Sequence, residues 1–488
     1  MESIVLYPSP AIGHVISMVE LAKLTLNHKP SLSIHIIIFD APFNAGSTAH
    51  YINKVSATIP SIIFHQLPTI TLPPLIISSS PHHETLIFEV LHLNNPNLHQ
   101  ALISISTNYT ISAFVADFFS ACALSVTHKL NIPAYLFFTS GASVLSTFLY
   151  LPTIHKNMTK NFKDVDTILQ IPGVPPVPAK DMPKPLLKRD DKAYQFFLDC
   201  SINWSRSAAG IIVNTFEYLE QRALKAISGG LCVLDGSTPS VYCIGPLTAA
   251  DDRKSGSRGD ENHKRPECLT WLDSQPSRSV VFLCFGSLGL FSMEHGQRFL
   301  WVVRNPPPKN EALAVKKQTE PDLDMILPEG FLERTNERGF VQKSWAPQVD
   351  ILSHDSVGGF VTHCGWNSVL EAVIAGVPMV AWPLYAEQRL NRIFLVEEMK
   401  IALPMVESED GFVSLGEVEK RVRELMESEE GNSVRKQTFV MKNNAKAALS
   451  EGGSSIVALS NLTFFFWEIN IRKLFCVFHN FYKKTLLI

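Results

Sequence analysis

Short apolar runs alternate with longer amphipathic segments along most of the chain, and this alternation predicts an α/β fold. Runs typical of buried parallel strands occur at 3–8, 32–39, 62–67, 112–118, 134–138, 210–215, 241–244, 279–286, 298–304, 359–362 and 378–382. Helical spacing follows several of them, at 15–26, 84–107, 120–130, 142–150 and 367–375. Repeated strand–helix units of this kind predict parallel sheets flanked by helices.

A polar stretch rich in glycine and serine separates the two groups of strands. Residues 248–266 have the composition of an interdomain linker, so we expect one domain at 1–247 and a second at 267–453, with a short helix at 454–462. A chain of 488 residues exceeds one ordinary core, which agrees with two domains. The basic residues of the linker are then solvated and do not form a nucleic-acid site.

Charge and cysteine usage narrow the class of protein. The net charge of -3 gives no electrostatic argument for binding nucleic acid or an anionic membrane. The amino terminus has no basic region and its apolar run ends at Pro8, so we expect a first strand, no signal peptide and a cytoplasmic protein. The eight cysteines have no C-x-x-C spacing, which indicates neither a zinc site nor a disulfide framework.

The stretch from 345 to 388 is the richest in candidate chemistry. Its turn at 363–368 joins a predicted strand to a predicted helix, where backbone N–H groups and the helix dipole favour phosphate. The turn's glycine permits close approach of a ligand, its asparagine can cap the helix, and the tryptophan at 345 offers a flat face for a base. The candidate residues of this nucleotide-diphosphate site are Trp345, His363, Gly365, Asn367, Ser368 and Glu371.

Three further candidates lie at predicted strand ends. His14 follows the first strand, where ligands usually bind in such folds, although a loop histidine is more often a surface residue than a base. Asp117 ends the strand at 112–118 and could either orient a base or cap the next helix. Ser287 follows the strand at 279–286 and could donate to a phosphate.

The segment 345–388 resembles, almost residue for residue, the donor-binding signature box of plant UDP-glycosyltransferases, and the similarity extends over about 1–462. The resemblance implies the GT-B fold, with two Rossmann-like domains and a cleft between them. It also implies inverting transfer of a hexose from a UDP-sugar to a hydroxyl of a small phenolic or flavonoid acceptor. UDP-glucose is then a co-substrate, because a glutamine at the position of Gln388 usually accompanies glucose. The resemblance further implies a monomer without a cofactor or metal.

The resemblance also implies roles for individual residues. His14 becomes the general base, and Asp117 holds its ring and stabilises the imidazolium. Trp345 stacks on uracil, while Ala346 and Gln348 hold the edge of the base. Residues implied to contact the ribose or the hexose are Thr139, Trp366, Asn367, Glu371, Glu387 and Gln388. A core tryptophan and a capping asparagine are the alternatives for Trp366 and Asn367.

Two segments depart from the family pattern. Residues 287–297 are too few for the crossover helix that the family has between the strands at 279–286 and 298–304, so we expect apolar strand surface to be uncovered. The tail at 463–488 is interrupted by charges and does not span a membrane; it is a surface anchor or translated non-coding sequence.

Because of these two departures, an alternative function is that of an inactive remnant, which binds UDP-sugar without turnover. A nucleotide-dependent oxidoreductase is a further alternative, against which the lack of G-x-G-x-x-G argues.

Overall fold

The structure is a computed structural model, and it describes residues 1–42, 48–73, 76–77, 80, 82–249, 265–284, 296–305, 320–408 and 411–466. Two parallel sheets form its framework, as the alternating pattern predicts. The first sheet contains seven strands in the spatial order β3-β2-β1-β4-β5-β8-β9, and the second contains six in the order β12-β11-β10-β13-β14-β15. A small antiparallel pair, β6 and β7, lies apart from both sheets.

The strands of the first half are β1 (Glu2–Tyr7), β2 (Ser33–Ile38), β3 (Ile62–Gln66), β4 (Thr110–Asp117), β5 (Ala134–Phe138), β6 (Ile168–Leu169), β7 (Val177–Pro178), β8 (Gly210–Val213) and β9 (Val241–Cys243). Those of the second half are β10 (Val280–Cys284), β11 (Arg298–Val303), β12 (Gly339–Lys343), β13 (Val357–Thr362), β14 (Met379–Ala381) and β15 (Ala402–Pro404).

The helices in chain order are α1 (Ile12–His28), α2 (Ala49–Thr58), α3 (His83–Leu93), α4 (Asn95–Ser106), α5 (Leu124–Lys129), α6 (Ala142–Asn157), α7 (Lys192–Ser207), α8 (Gln221–Ser228) and α9 (Glu267–Asp273). They continue with α10 (Leu323–Ile326), α11 (Phe331–Thr335), α12 (Gln348–Leu352), α13 (Trp366–Ala375), α14 (Gln388–Ile393), α15 (Leu415–Glu427), α16 (Glu429–Ala448) and α17 (454–466).

The central strands bring candidate residues to one sheet edge. β1 lies between β2 and β4, and β5 lies on the other side of β4, with all of these pairings parallel. Both faces of these strands are buried, which explains their continuous apolar sequence. Because parallel strands end at the same edge, the residues that follow β1, β4 and β5 meet there.

Two predicted helices are divided in the structure. The segment 84–107 forms α3 and α4, because Pro96 in the first turn of α4 fits a helix start but would disrupt a helix interior. The segment 120–130 begins as a 3₁₀ turn at Phe118–Ala123 with a kink at Ser120 and becomes α-helical at α5.

The strands beside the short connection are covered, contrary to the expectation. β10 and β11 are parallel neighbours, and every residue of both is buried except the half-buried Arg298. One face shares a buried cluster with Leu269 and Ile351, and the other shares one with Phe331 and Val422. Phe331 of α11 packs against Phe299 of β11, with their ring centroids 6.0 Å apart. The described parts of these two strands are therefore buried and not open to solvent. The connection at 285–295, with Ser287, lies outside the described residues.

The carboxyl-terminal helix returns to the first sheet and runs further than predicted. α17 extends to residue 466, past the expected end at 462. Phe466 is 2% exposed, and its ring centroid lies 4.9 Å from that of Tyr135 on β5. The first residues of the predicted tail are therefore part of the fold. Within the described ranges, no helix is long and apolar enough to cross a membrane.

Candidate active site

His14 and Asp117 form a hydrogen-bonded pair at the carboxyl edge of the first sheet. His14 lies in the first turn of α1, and its Nδ1 is 2.7 Å from Oδ2 of Asp117, the last residue of β4. A carboxylate accepts only, so Nδ1 carries the proton and Nε2 keeps its lone pair. Thr139, just after β5, places its Oγ1 3.4 Å from the same Nδ1. The strand ends thus bring these three predicted residues together.

Asp117 fulfils both roles that its position suggested. Its Oδ1 accepts a hydrogen bond from the backbone N–H of Phe119 at 3.0 Å and caps the following 3₁₀ turn, while Oδ2 pairs with His14. The carboxylate is fully buried, whereas the His14 side chain remains 21% exposed. The capping bond therefore fixes the carboxylate that orients the histidine.

Opposing influences act on the pKa of His14. Burial by itself lowers the pKa of His14, but the charge of Asp117 and its hydrogen bond outweigh burial, with a smaller contribution from Glu387, so the pKa is raised. The ring is therefore a stronger base than a free histidine, and it becomes neutral at a higher pH.

Aromatic rings flank the histidine on one side. The rings of Phe118 and Phe119 each have centroids 5.6 Å from that of His14, and they lie 4.2 Å from each other. Phe88 of α3 extends this wall, with its centroid 5.2 Å from that of Phe119. A flat apolar molecule placed beside His14 would contact aromatic rings.

The predicted phosphate turn connects β13 to α13. Gly365 is the N-cap of α13 and Asn367 is its second residue, so Asn367 does not cap the helix as proposed. Its side chain instead extends across the cleft toward Gly13 and Ser17, with Ser17 Oγ donating to Asn367 Oδ1 at 3.3 Å. The free N–H groups at the start of α13 keep the positive end of the helix dipole available to an anion.

His363 contributes to this turn as a neutral group. Burial lowers the pKa of His363 to about 4, against a hydrogen bond to the Cys284 backbone that raises it, and the positive charge of Arg304 adds to the lowering. Its ring stacks beside Tyr385 with centroids 6.2 Å apart. Cys364, the next residue, has φ of +67°, which is unusual without glycine and marks a strained turn. His363 therefore offers a hydrogen bond, and the helix end supplies the positive potential.

The predicted nucleoside residues lie together beside α13. Trp345 is 62% exposed, so its ring face is open, and Ala346 next to it is buried. Gln348 Nε2 donates to Ser368 Oγ at 2.8 Å and to Glu371 Oε2 at 2.6 Å. Burial raises the pKa of Glu371 to about 7, against the effect of the Gln348 bond. A uracil placed here would contact the open ring face of Trp345, and a ribose would contact the polar side chains of Gln348, Ser368 and Glu371.

The predicted hexose residues lie at the start of α14. Glu387 Oε1 accepts from Ser140 Oγ at 3.0 Å, across the cleft. The Gln388 side-chain oxygen accepts from the backbone N–H groups of Leu384 and Tyr385, both at 2.9 Å, and so holds the turn that precedes α14. Through these two hydrogen bonds, the Gln388 side chain fixes the backbone of the turn in this part of the cleft.

Trp366 has the buried position that its alternative as a core tryptophan predicts. Its side chain is 4% exposed, and its indole Nε1 donates to the backbone oxygen of Asn214 at 2.7 Å, on the opposite side of the cleft. The side chain therefore contacts the first half of the chain and not a sugar-facing surface.

Sequence reasoning missed several supporting residues. Asn391 donates to the Cys364 carbonyl at 2.9 Å and to Glu387 Oε1 at 3.5 Å, joining the phosphate turn to the hexose residues. Its position one helical turn after Glu387 is a signal that could have found it. Ser140 and Asn214 gave no local signal, because their partners are distant in sequence. Over the described part of the chain, no group of three or more His, Cys, Asp or Glu side chains could hold a metal ion.

Known proteins resemble this chain over nearly its whole length. The family profile "UDP-glucoronosyl and UDP-glucosyl transferase" matches residues 294–435. UDP-glycosyltransferase 88B1 of Stevia rebaudiana is 50% identical over 95% of this chain and 99% of its own length. The anthocyanidin 5,3-O-glucosyltransferase of a Rosa hybrid cultivar is 49% identical over 94% and 98%.

A solved structure has the same fold. It is a UDP-glucosyltransferase from Polygonum tinctorium capable of glucosylating indoxyl, in a complex with 3,4-dichloroaniline. It aligns with a TM-score of 0.84 and 36% identity, over 95% of this chain and 98% of that one.

Proposed function

Because this chain belongs to the UDP-glycosyltransferase family, with two parallel sheets in the GT-B arrangement, we propose that it transfers glucose from UDP-glucose to a phenolic hydroxyl with inversion. The observation that carries the proposal is the pairing of His14 with Asp117 directly across the cleft from the turn before α13. The base His14 and the anion-binding start of α13 therefore lie on opposite sides of the same part of the cleft.

The proposed chemistry follows from this placement. His14 Nε2 removes the proton of an acceptor hydroxyl, whose oxygen forms a bond to the anomeric carbon as the bond to the diphosphate breaks. Asp117 stabilises the imidazolium that forms. The positive end of α13, with the N–H of His363, stabilises the charge on the departing UDP. The electron pair leaves with the diphosphate, and the proton stays on His14 until it is released.

An aromatic acceptor is favoured by the surroundings of the base. Phe118, which is half-buried, lies beside His14 on an aromatic wall that Phe119 and Phe88 support from the core, and it gives a flat acceptor an aromatic contact. A phenol, with a pKa near 10, is also easier for imidazole to deprotonate than an alkyl alcohol. The similarity to the rose anthocyanidin glucosyltransferase supports the flavonoid class.

The test is a transfer assay with the purified chain, radiolabelled UDP-glucose and a panel of flavonoids, each paired with its fully O-methylated form. We expect label to reach the free phenols and not the methylated forms. His14→Ala should lower the rate by about 10²- to 10⁴-fold, while His128→Ala, on the exposed surface of α5, should not. A His14→Ala variant that retains more than half the rate would place the base elsewhere.

A further inference from the structure

The indole of Trp366 crosses the cleft and enters a socket in the first half of the chain. Gly141 forms one wall, because a Cβ added there would lie 2.7 Å from Cη2 and 2.8 Å from Cζ2 of Trp366. Asn214 forms another wall and accepts the indole hydrogen bond through its backbone oxygen. Glu220 closes the socket, with Oε1 2.7 Å from the same added Cβ.

Each wall of the socket is fixed by its own contacts. Glu220 is buried and accepts from the N–H groups of Ala142 and Ser143, both at 2.8 Å, at the start of α6. The Asn214 side chain is bound twice to the backbone of Leu247, accepting from its N–H at 2.7 Å and donating to its carbonyl at 3.1 Å. The socket is therefore rigid, and a glycine at 141 is needed to leave space for the ring.

The position of Trp366 in the chain gives this contact a consequence for the reaction. Trp366 is the first residue of α13, directly after the turn assigned to the diphosphate. Its neighbour Asn367 reaches Gly13, the residue before His14. The phosphate-binding helix end and the base are thus linked through adjacent residues.

We propose that Trp366 is a positioning residue whose indole, seated in the socket of Gly141, Asn214 and Glu220, sets the distance between the donor turn and His14. The proposal rests on the proposed function for its effect on rate. Transfer requires the acceptor oxygen and the anomeric carbon to be held in near-attack geometry, and a displacement of about 1 Å can cost on the order of 10²-fold in rate. Trp366 acts through this spacing and not by touching the reacting atoms.

The test fills the socket by Gly141→Ala. We expect kcat to fall about 10²-fold while KM for UDP-glucose changes little, because the donor site on α13 is intact. Gly416→Ala is the matched control, since an added Cβ there meets nothing within 4 Å. Equal kcat for the two variants would overturn the proposal.

A double variant separates the indole from the neighbouring carboxylate. Trp366→Phe removes the atoms with which the new methyl group would collide, so we expect Gly141→Ala to lower kcat little further in that background. A full additional loss in the double variant would show that the effect runs through Glu220, and the proposal would fail.

Small-angle X-ray scattering tests the positioning role of Trp366 without measuring glucose transfer. With saturating UDP, we expect a larger radius of gyration for Gly141→Ala than for the wild type or Gly416→Ala. If the wild type transfers no glucose but this difference is present, the proposed function fails and the positioning role stands. If the three radii are equal, the positioning role is refuted whatever the activity.

Discussion

The Asp117 carboxylate accepts one hydrogen bond from a backbone N–H and one from the His14 side chain, and one substitution can separate the two. Asparagine keeps an oxygen that can accept from the Phe119 N–H, so the 3₁₀ turn should remain capped. It removes the negative charge that raises the pKa of His14. The fold should therefore survive Asp117→Asn while the base changes.

The expected result of Asp117→Asn is a shifted pH profile with a lower plateau. His14 acts as a base only when neutral, so kcat/KM rises as pH increases through its pKa. Without the carboxylate that pKa falls, and the acidic limb should move to lower pH, while the plateau drops by about 10²-fold or more because the ring is no longer held. Asp322→Asn, a cap on α10, serves as the control. An unshifted acidic limb would show that Asp117 does not tune His14.

At the scale of single residues, the sequence predicts where a residue lies in the fold better than the direction in which its side chain points. His14, Asp117 and Thr139 follow strands that are adjacent in the sheet, so strand order alone brings them together. The direction of the Trp366 side chain depends on Asn214, 152 positions away in the chain, and on the space left by Gly141. No local pattern contains that information, so the sequence alone left a core tryptophan and a sugar-facing tryptophan as alternatives for Trp366.

Among the helices, α17 provides a test of how much the last described residues stabilise the first sheet. Phe466 packs on Tyr135 and is almost fully buried, whereas Phe464 on the same helix is 62% exposed. Phe466→Ala should lower the free energy of unfolding by about 3 kcal/mol, as buried phenylalanine truncations do. Phe464→Ala should change it by less than about 0.5 kcal/mol. Urea unfolding checks both, and equal losses would show that α17 does not dock through Phe466.

Strands β2 and β3 contain a histidine pair outside the reaction site, in which His35 is buried and His65 is half-buried. His35 Nδ1 and His65 Nε2 are 2.8 Å apart, and Tyr109 packs edge-on against His35, with Ser33 Oγ 3.4 Å from its other nitrogen. Burial lowers the pKa of His35 to about 4, and repulsion from His65 adds to this. Burial also lowers the pKa of His65. The pair is therefore neutral in the folded protein at pH 7.

This pair should make stability depend on pH. A histidine whose folded pKa is depressed stabilises the fold above its unfolded pKa, near 6.5, and that stability is lost as pH falls toward 4. Between pH 7.5 and pH 5 the loss from His35 should be about 2 kcal/mol. His35→Gln should remove that part of the pH dependence, and His128→Gln, on the exposed surface, should not. Identical slopes for the wild type and His35→Gln would contradict this account.

At the scale of elements, the apolar pattern predicts most of the strands, but it does not predict which helices pack against them. Most of the observed strands fall within or close to the predicted runs, because a run buried on both faces is distinctive. The sequence analysis predicted no run at the positions of β6, β7, β12 and β15. The short connection at 287–297 suggested an uncovered sheet, yet β10 and β11 are buried. Phe331, which packs on Phe299 of β11, comes from a segment after the connection, so the length of the connection does not by itself determine what covers the strands.

For the whole molecule, the cleft is defined by contacts between the two halves. Ion pairs join Arg389 and Arg392 of α14 to Asp181, and another joins Arg222 to Glu398. Sequence reasoning predicted the cleft through family resemblance, but these contacts depend on side chains far apart in the chain. The closed arrangement they hold places the His14 pair opposite the start of α13.

The stereochemistry of the product shows whether the acceptor oxygen displaces UDP in a single step. UDP-glucose carries its glucose in the α configuration, and a single displacement by an oxygen that His14 has deprotonated gives a β-glucoside. We predict that proton NMR of the phenolic glucoside formed by the intact chain will show the β anomer alone. An α-glucoside, or free glucose with no phenolic product, would contradict the account.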